Sequence, residues 1–237
     1  MNFTNILKST IKFLIIPFVG YFESRKVTFN FQNKSYRYFY NRRNYTFINE
    51  RAIEIPIFRR IIEKYKTRKI LEVGSTLWNY FPQDYDVVDK YDSSLGIIKK
   101  DILQYNPKTK YDLIISISTL EHVGWDEYLY SAKIGKNNRD YFLKTIRHLR
   151  SLLSSKGVLV FSVPLGYNRF VDLRITKSTD YFSELYFMQR SLLCNHWKQV
   201  AYANLKNIKH NHLFGYSNAI VVGVINKDGN SACKSIF

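Results

Sequence analysis

A chain of 237 residues, 46% of them apolar, has enough material for one buried core of domain size and is too apolar for a wholly disordered polymer. Its 36 Lys and Arg against 19 Asp and Glu leave a formal charge of +17, which favours anionic partners such as nucleic acid, an anionic membrane surface or acidic glycans, although the Lys-rich composition of an AT-biased coding sequence gives the same excess. With only Cys194 and Cys233 a disulfide framework is excluded, and a reducing, cytoplasmic compartment is expected.

In chain order, the first feature is IKFLIIPFVGYF at 11–22, apolar except for Lys12. It is shorter than the ~20 residues that cross a bilayer, and Pro17 and Gly20 interrupt it. No small-residue cleavage site follows, so a secretory signal is a poor fit. Either an interfacial anchor on a membrane or a helix packed on the domain is expected. Residues 27–40 then alternate Val27, Phe29 and Phe31 with a polar turn at 32–35 and Tyr36, Tyr38 and Tyr40, the pattern of a hairpin with an aromatic face. Interleaved Lys34, Arg37, Arg42 and Arg43 make it either a nucleic-acid or sugar platform or a cap on the domain.

Pro56 opens a predicted helix with Ile57, Phe58, Ile61, Ile62 and Tyr65 on one face. Strands are predicted at 69–73, 85–89, 97–98 and 111–117, with a short irregular or helical stretch at 75–82. Asp140 is expected to cap a helix carrying Phe142, Ile146, Leu149 and Leu153, followed by a strand at 158–163. Residues 181–193 read as a helix, and strand-like runs at 198–205 and 217–226 close the chain. This alternation predicts an α/β fold: a doubly wound, mostly parallel sheet of seven strands covered on both faces. The expected organisation is an N-terminal extension at 1–48, one domain at 49–226 and a tail at 227–237.

In such a sheet the ligand crevice lies at the carboxyl ends of the strands. ILEVGSTLWNYF (70–81) delivers Glu72 and Gly74 there, and a single glycine suits a ligand without a pyrophosphate better than a dinucleotide. The next strand ends in Asp89, a carboxylate able to accept from both hydroxyls of a ribose. Asp101 and Ile102 follow the third strand, an acid for an adenine amino group and an apolar neighbour for its ring. In KYDLIISISTLEHVGWDE (110–127) a buried strand turns polar and leads to Glu121 and His122.

LEVGS, VVDKYD, KKDI and YDLIISISTLEHVG, in that order, resemble the successive motifs of class I S-adenosylmethionine-dependent methyltransferases, over roughly residues 50–226. NERAIEIPI (49–57) and SVPLGYN (162–168) resemble a bacterial subgroup associated with sugar or surface-polysaccharide modification. The resemblance implies a seven-stranded sheet with an antiparallel last strand and S-adenosylmethionine as cofactor. It also implies cofactor contacts from Glu72, Gly74, Ser75, Asp89, Lys90, Asp101, Ile102 and Ser118. Only Gly74 remains of the two or three glycines usual in the first motif.

By the same resemblance the fourth strand ends beside the transferable methyl group. His122 has the pKa range of a general base, and Glu121 either orients it or binds substrate; the alternative is that the pair makes structural hydrogen bonds. Tyr167 and Asn168 are expected either to touch the acceptor or to form a turn after Pro164, and loop 125–139, with Trp125, Tyr128 and Tyr130, either to act as a lid over the acceptor or to serve packing. A strand end reading S-I-S-T argues against amino-group methylation of DNA bases, and no cysteine lies near a motif for cytosine C5 chemistry. His210, Asn211 and His212 look like a metal motif without supporting ligands and are read as incidental, so no metal is expected. The function implied is methyl transfer to a hydroxyl or amine of a small molecule, a sugar or glycan precursor, beside an anionic membrane. An RNA methyltransferase and a non-catalytic scaffold are the alternatives.

Overall fold

The computed structural model describes residues 28–125, 140–177, 179–191, 195–210, 216–228 and 236–237. The apolar stretch at 11–22, Tyr128, Tyr130, Cys194, Asn211, His212 and Cys233 lie outside them. The first strands, β1 (Thr28–Phe31) and β2 (Lys34–Arg37), form an antiparallel hairpin whose two turn residues, Gln32 and Asn33, both have positive φ. That is the turn whose twist suits a two-residue hairpin. Phe29, Phe31, Tyr36 and Tyr38 are all buried, so this aromatic face serves packing and is closed to bases or sugars.

Helix α1 (Arg51–Tyr65) begins five residues before Pro56 instead of at it. A proline inside a helix strands the carbonyl four residues earlier. Here that carbonyl, on Ala52, accepts from the Phe39 backbone N–H at 2.9 Å, so the loop after the hairpin supplies the missing donor. The helix survives because a distant residue repairs it.

The remaining strands are β3 (Ile70–Val73), β4 (Asp86–Asp89), β5 (Ile98–Lys99), β6 (Tyr111–Ile117), β7 (Leu153–Pro164), β8 (Glu184–Arg190), β9 (Trp197–Val200) and β10 (Ala219–Asn226). They form one sheet of eight in the order β5-β4-β3-β6-β7-β10-β8-β9. Pairs from β5 to β7 are parallel, while β10 runs antiparallel to both β7 and β8. This is the doubly wound arrangement with two reversed strands near the end of the chain, β10 and, antiparallel to β8, the edge strand β9, and the order changes direction between β3 and β6.

The eighth strand corrects the sequence reading, because β8 occupies the predicted helix at 181–193. Phe187 packs in one core and its neighbour Met188 in the other. Only a strand sends consecutive side chains to opposite faces. Beyond β9 the expected run to 205 becomes a 3₁₀ turn, Tyr202–Asn204.

Alternation fills both faces. Leu113, Ile115 and Ile117 of β6 meet α1, while Ile114 meets helix α2 (Tyr141–Leu152) on the other side. Asp140 precedes α2 without capping it, because its carboxylate accepts from Arg174 Nη2 at 2.6 Å. Helix α3 (Arg169–Lys177) lies on the same side as α2, with Val171 and Ile175 buried there. Gly223 in β10 leaves room for the Phe161 ring, which a Cβ would meet at 2.3 Å. With both faces dry, the polar ends of the parallel strands are the place where the chain gathers functional groups.

Candidate functional site

A cavity of about 390 Å³ opens where β3, β4, β5 and β6 end. That lies within the usual ~300–1,000 Å³ of small-molecule sites. Gly74 turns the chain out of β3 with φ +81, and a Cβ there would meet Thr119 Oγ1 at 2.2 Å. Both the backbone conformation and the contact require glycine.

Three acids line one end of the cavity. Asp89 Oδ1 accepts from Tyr91 N at 2.8 Å and Asp92 N at 2.9 Å, and its Oδ2 accepts from Ser75 N at 3.2 Å. The turn after β4 thus folds around its own carboxylate and leaves Oδ2 facing the loop after β3. Asp92 Oδ2 accepts from Ser75 Oγ at 2.7 Å and Asn79 Nδ2 at 3.3 Å. Burial favours the neutral form of Asp92, but hydrogen bonds from Ser94, Ser75 and Asn79 outweigh it and hold the acid at about 2. Asp101 caps the turn Ile102–Gln104 through Leu103 N at 3.0 Å and pairs with Lys90 Nζ at 3.0 Å. Ile102, Val73 and Val88 supply the apolar wall.

The loop before α1 braces this end from outside. The Arg43 guanidinium forks onto Asn79, to its carbonyl at 2.8 Å and its Oδ1 at 2.9 Å. Asn44, which lines the cavity, and Tyr45 both sit at positive φ, a strained pair held by Asn49 Nδ2 on the Asn44 carbonyl at 2.7 Å.

The other end is built at the end of β6. The Ile117 carbonyl accepts from Thr76 Oγ1 at 3.1 Å, Thr119 Oγ1 at 3.0 Å and Arg51 Nη1 at 3.2 Å. Ser118 follows at φ +39, its N–H on the Ser162 carbonyl and its hydroxyl on Glu54 Oε1 at 2.7 Å. Arg51 Nη1 also donates to Glu54 Oε2 at 2.9 Å. Glu121 is 1% exposed, with Oε1 3.6 Å from His122 Nε2, and neither of its oxygens accepts a hydrogen bond from another described residue. Burial pushes its carboxyl up to about 7, with the charges of His122 and Arg51 opposing. His122 faces the Tyr167 ring at 5.0 Å, and Tyr167 faces His210 at 4.6 Å. Burial, and then the charge of His122, lower the His210 pKa.

Of the residues singled out in the sequence, Gly74, Ser75, Asp89, Lys90, Asp101, Ile102, Ser118 and His122 all line this cavity. Glu72 does not. It is wholly buried behind the loop, where its carboxylate accepts from Leu77 N at 2.6 Å, Trp78 N at 3.1 Å and the Tyr85 hydroxyl at 2.8 Å. Burial pushes its carboxyl up to about 7 against those three bonds. Its role is to fold the turn at 75–81 in the absence of further glycines.

Asn168 is likewise spent on structure. Its Oδ1 caps α3 at Phe170 N (3.0 Å), and its Nδ2 donates to the Glu121 carbonyl at 2.8 Å, which fixes the backbone beside His122. Trp125 packs on Phe170, and Tyr167 stands beyond His122 instead of in the cavity wall. Arg51, Asn44 and Asp92 are wall residues that the sequence reading missed. Among the described residues no group of three His, Cys, Asp or Glu side chains converges as a metal site.

No protein-family model matches the chain, and no curated protein matches it. Among solved structures it is similar to the N-methyltransferase NodS of Bradyrhizobium japonicum with S-adenosyl-L-homocysteine: 15% identity over 75% of this chain and 90% of that one, TM-score 0.41. A methyltransferase of Archaeoglobus fulgidus is 11% identical over 71% of this chain and 90% of its own, TM-score 0.40. The sugar N-methyltransferase KedS8 of Streptoalloteichus is 13% identical over 48% of each chain, TM-score 0.32. Identity and TM-score are low throughout, so the functional reading rests on the cavity and its residues.

Proposed function

We propose that this chain is an S-adenosylmethionine-dependent methyltransferase acting on a hydroxyl or amine of a small molecule, a sugar or glycan precursor. The observation that carries the reading is the cavity at the ends of β3 to β6, which joins Asp89, Asp101 and Ile102 at one end to Ser118 and His122 at the other. The residues fit such a cofactor. Asp89, Asp92 and Asp101 make that end hostile to a pyrophosphate and suitable for a ribose and an adenine amino group. Gly74 brings the backbone to the cavity wall. The cofactor supplies an electrophilic methyl group; the chain's own work is to hold the acceptor in line with it and to remove the acceptor's proton, a task for which His122 in the cavity wall is the base.

The charge of +17 and the apolar stretch at 11–22 suit work beside an anionic membrane, where glycan precursors on lipid carriers are met. Among the described residues no helix is long and apolar enough to cross a membrane. The test of the cofactor is calorimetric titration with S-adenosylhomocysteine, beside an Asp89→Ala control. Micromolar binding by the wild type, lost in the variant, is expected; folded wild type that takes up none sinks the reading.

A further inference from the structure

We propose that Arg51 is a carboxylate receptor at the reacting end of the cavity, gripping a ligand's carboxylate side-on through its Nε and Nη2. The inference deepens the methyltransferase reading and rests on it for the source of the carboxylate: the amino-acid arm of the cofactor or an acid group on the acceptor.

Arg51 is the first residue of α1 and lines the cavity together with Ser118 and His122. Its side chain is 19% exposed, whereas that of its partner Glu54 is wholly buried. A single nitrogen makes all its hydrogen bonds. Nη1 donates to Glu54 Oε2 at 2.9 Å and to the Ile117 carbonyl at 3.2 Å. Nε and Nη2 donate to no described residue, and neither is sealed off as a buried unpartnered atom. The uncommitted edge is therefore open to the cavity that the residue lines. Those two nitrogens are the side-on fork of a guanidinium, whose parallel N–H bonds match the two oxygens of a carboxylate.

The acceptors that pin Nη1 are themselves held. Glu54 Oε1 accepts from the Ser118 hydroxyl at 2.7 Å, and the Ile117 carbonyl accepts from Thr76 Oγ1 at 3.1 Å and Thr119 Oγ1 at 3.0 Å. Contacts from α1, the loop after β3 and the end of β6 thus orient the guanidinium in advance, and little rotamer freedom remains to be lost on binding. A role confined to Glu54 would need one donor, which a lysine ammonium supplies. The second edge serves nothing in the fold.

The lysines of the cavity wall stand at the opposite end, among the acids. Lys90 pairs with Asp101 at 3.0 Å, and the Lys100 backbone N–H sits on the Asp89 carbonyl at 2.9 Å. Asp89, Asp92 and Asp101 repel an anionic group there, and Arg51 receives it at the end of β6. Arg51 thereby fixes which way round an acidic ligand lies.

The test measures affinities of the full chain by calorimetry. One pair of probes is S-adenosylhomocysteine and its decarboxylated analogue; the other, on protein saturated with S-adenosylhomocysteine, is glucuronate and glucose. Wild type is expected to prefer the acid about tenfold in at least one pair, and that pair names the source. Arg51→Lys keeps a cation for Glu54 without the fork and should lower the preference to about threefold, and Arg51→Met should bring the members of the pair within about twofold. Each preference is a ratio within one protein, so a general weakening cancels, and Arg51→Lys decides alone if Arg51→Met does not fold. No preference for the acid in either pair, or one that Arg51→Lys leaves unchanged, overturns the proposal. Wild type that holds no S-adenosylhomocysteine fells the methyltransferase reading instead, and glucuronate against glucose on that protein still decides for or against the receptor.

Discussion

The two ends of the cavity treat carboxylates in opposite ways. At the ends of β4 and β5, Asp89, Asp92 and Asp101 are ringed by donors, and Asp92 is held at about 2. Beyond β6, Glu121 is buried with no donor from another described residue, and its carboxyl rises to about 7. The first end is finished by the chain itself: its acids are hydrogen-bonded and oriented by their own turns before any ligand arrives. The second is left electrostatically unfinished. Binding a constant part and reacting with a variable part call for these two states, because preorganisation favours affinity while a poised acid near neutrality favours proton movement.

Perturbing each end separately sharpens the contrast. Gly74→Ala, at the finished end, is expected to cost about 4 kcal/mol, since it combines a left-handed non-glycine residue with a Cβ driven into Thr119. Denaturant unfolding measures it, and a loss under about 1 kcal/mol would mean that the loop is not fixed as described. At the unfinished end the signature is pH dependence. Glu121 in the fold keeps its proton up to about 7, whereas the unfolded chain releases it near 4.5. Its stabilising contribution is therefore complete below the unfolded value and is lost as pH rises through the folded one. Glu121→Gln is expected to remove on the order of 2 kcal/mol of that decline between mildly acidic and mildly alkaline pH. An unchanged slope would place the proton elsewhere.

Smaller effects should mark the braces around the finished end. Arg43→Ala removes the fork on Asn79 and should weaken S-adenosylhomocysteine binding about fivefold, roughly 1 kcal/mol, with little change in melting temperature. Lys90→Ala breaks a partly exposed pair with Asp101 and should cost about 0.5 kcal/mol, less at high salt. Equal losses from Arg43→Ala and Lys90→Ala would contradict the view that Asn79 transmits the brace to Ser75.

The parallel strands were legible because burial on both faces forces continuous apolar runs, and β6 is one such run. That same property hid β8. Leu185, Tyr186, Phe187 and Met188 are apolar in succession, which a buried helix and a two-faced strand share, and only their division between two cores separates the cases. The start of α1 was misplaced because the repair of Ala52 comes from Phe39, which no local pattern around Pro56 reveals. At the site, Asp89 and Asp101 could be found by their position after short strands. Asp92 had a usable signal in Asp92-Ser93-Ser94, where its Oδ1 accepts from Ser94 N at 2.9 Å in the manner of an Asx turn. Arg51 and Asn44 had none pointing to a ligand, since they enter from the segment between the hairpin and the first strand of the eight-stranded sheet. The case of Glu72 is ambiguous in the sequence, because a carboxylate before a glycine at a strand end looks the same whether it faces the crevice or folds the turn behind it.

The most direct measurement is a crystal structure of the protein with S-adenosylhomocysteine. Adenine against Ile102 and Asp101, ribose hydroxyls on Asp89, and sulfur towards Ser118 and His122 are the predicted result. The ligand in another groove, or reversed so that its adenine lies at His122, would contradict the division of the cavity into a finished and an unfinished end.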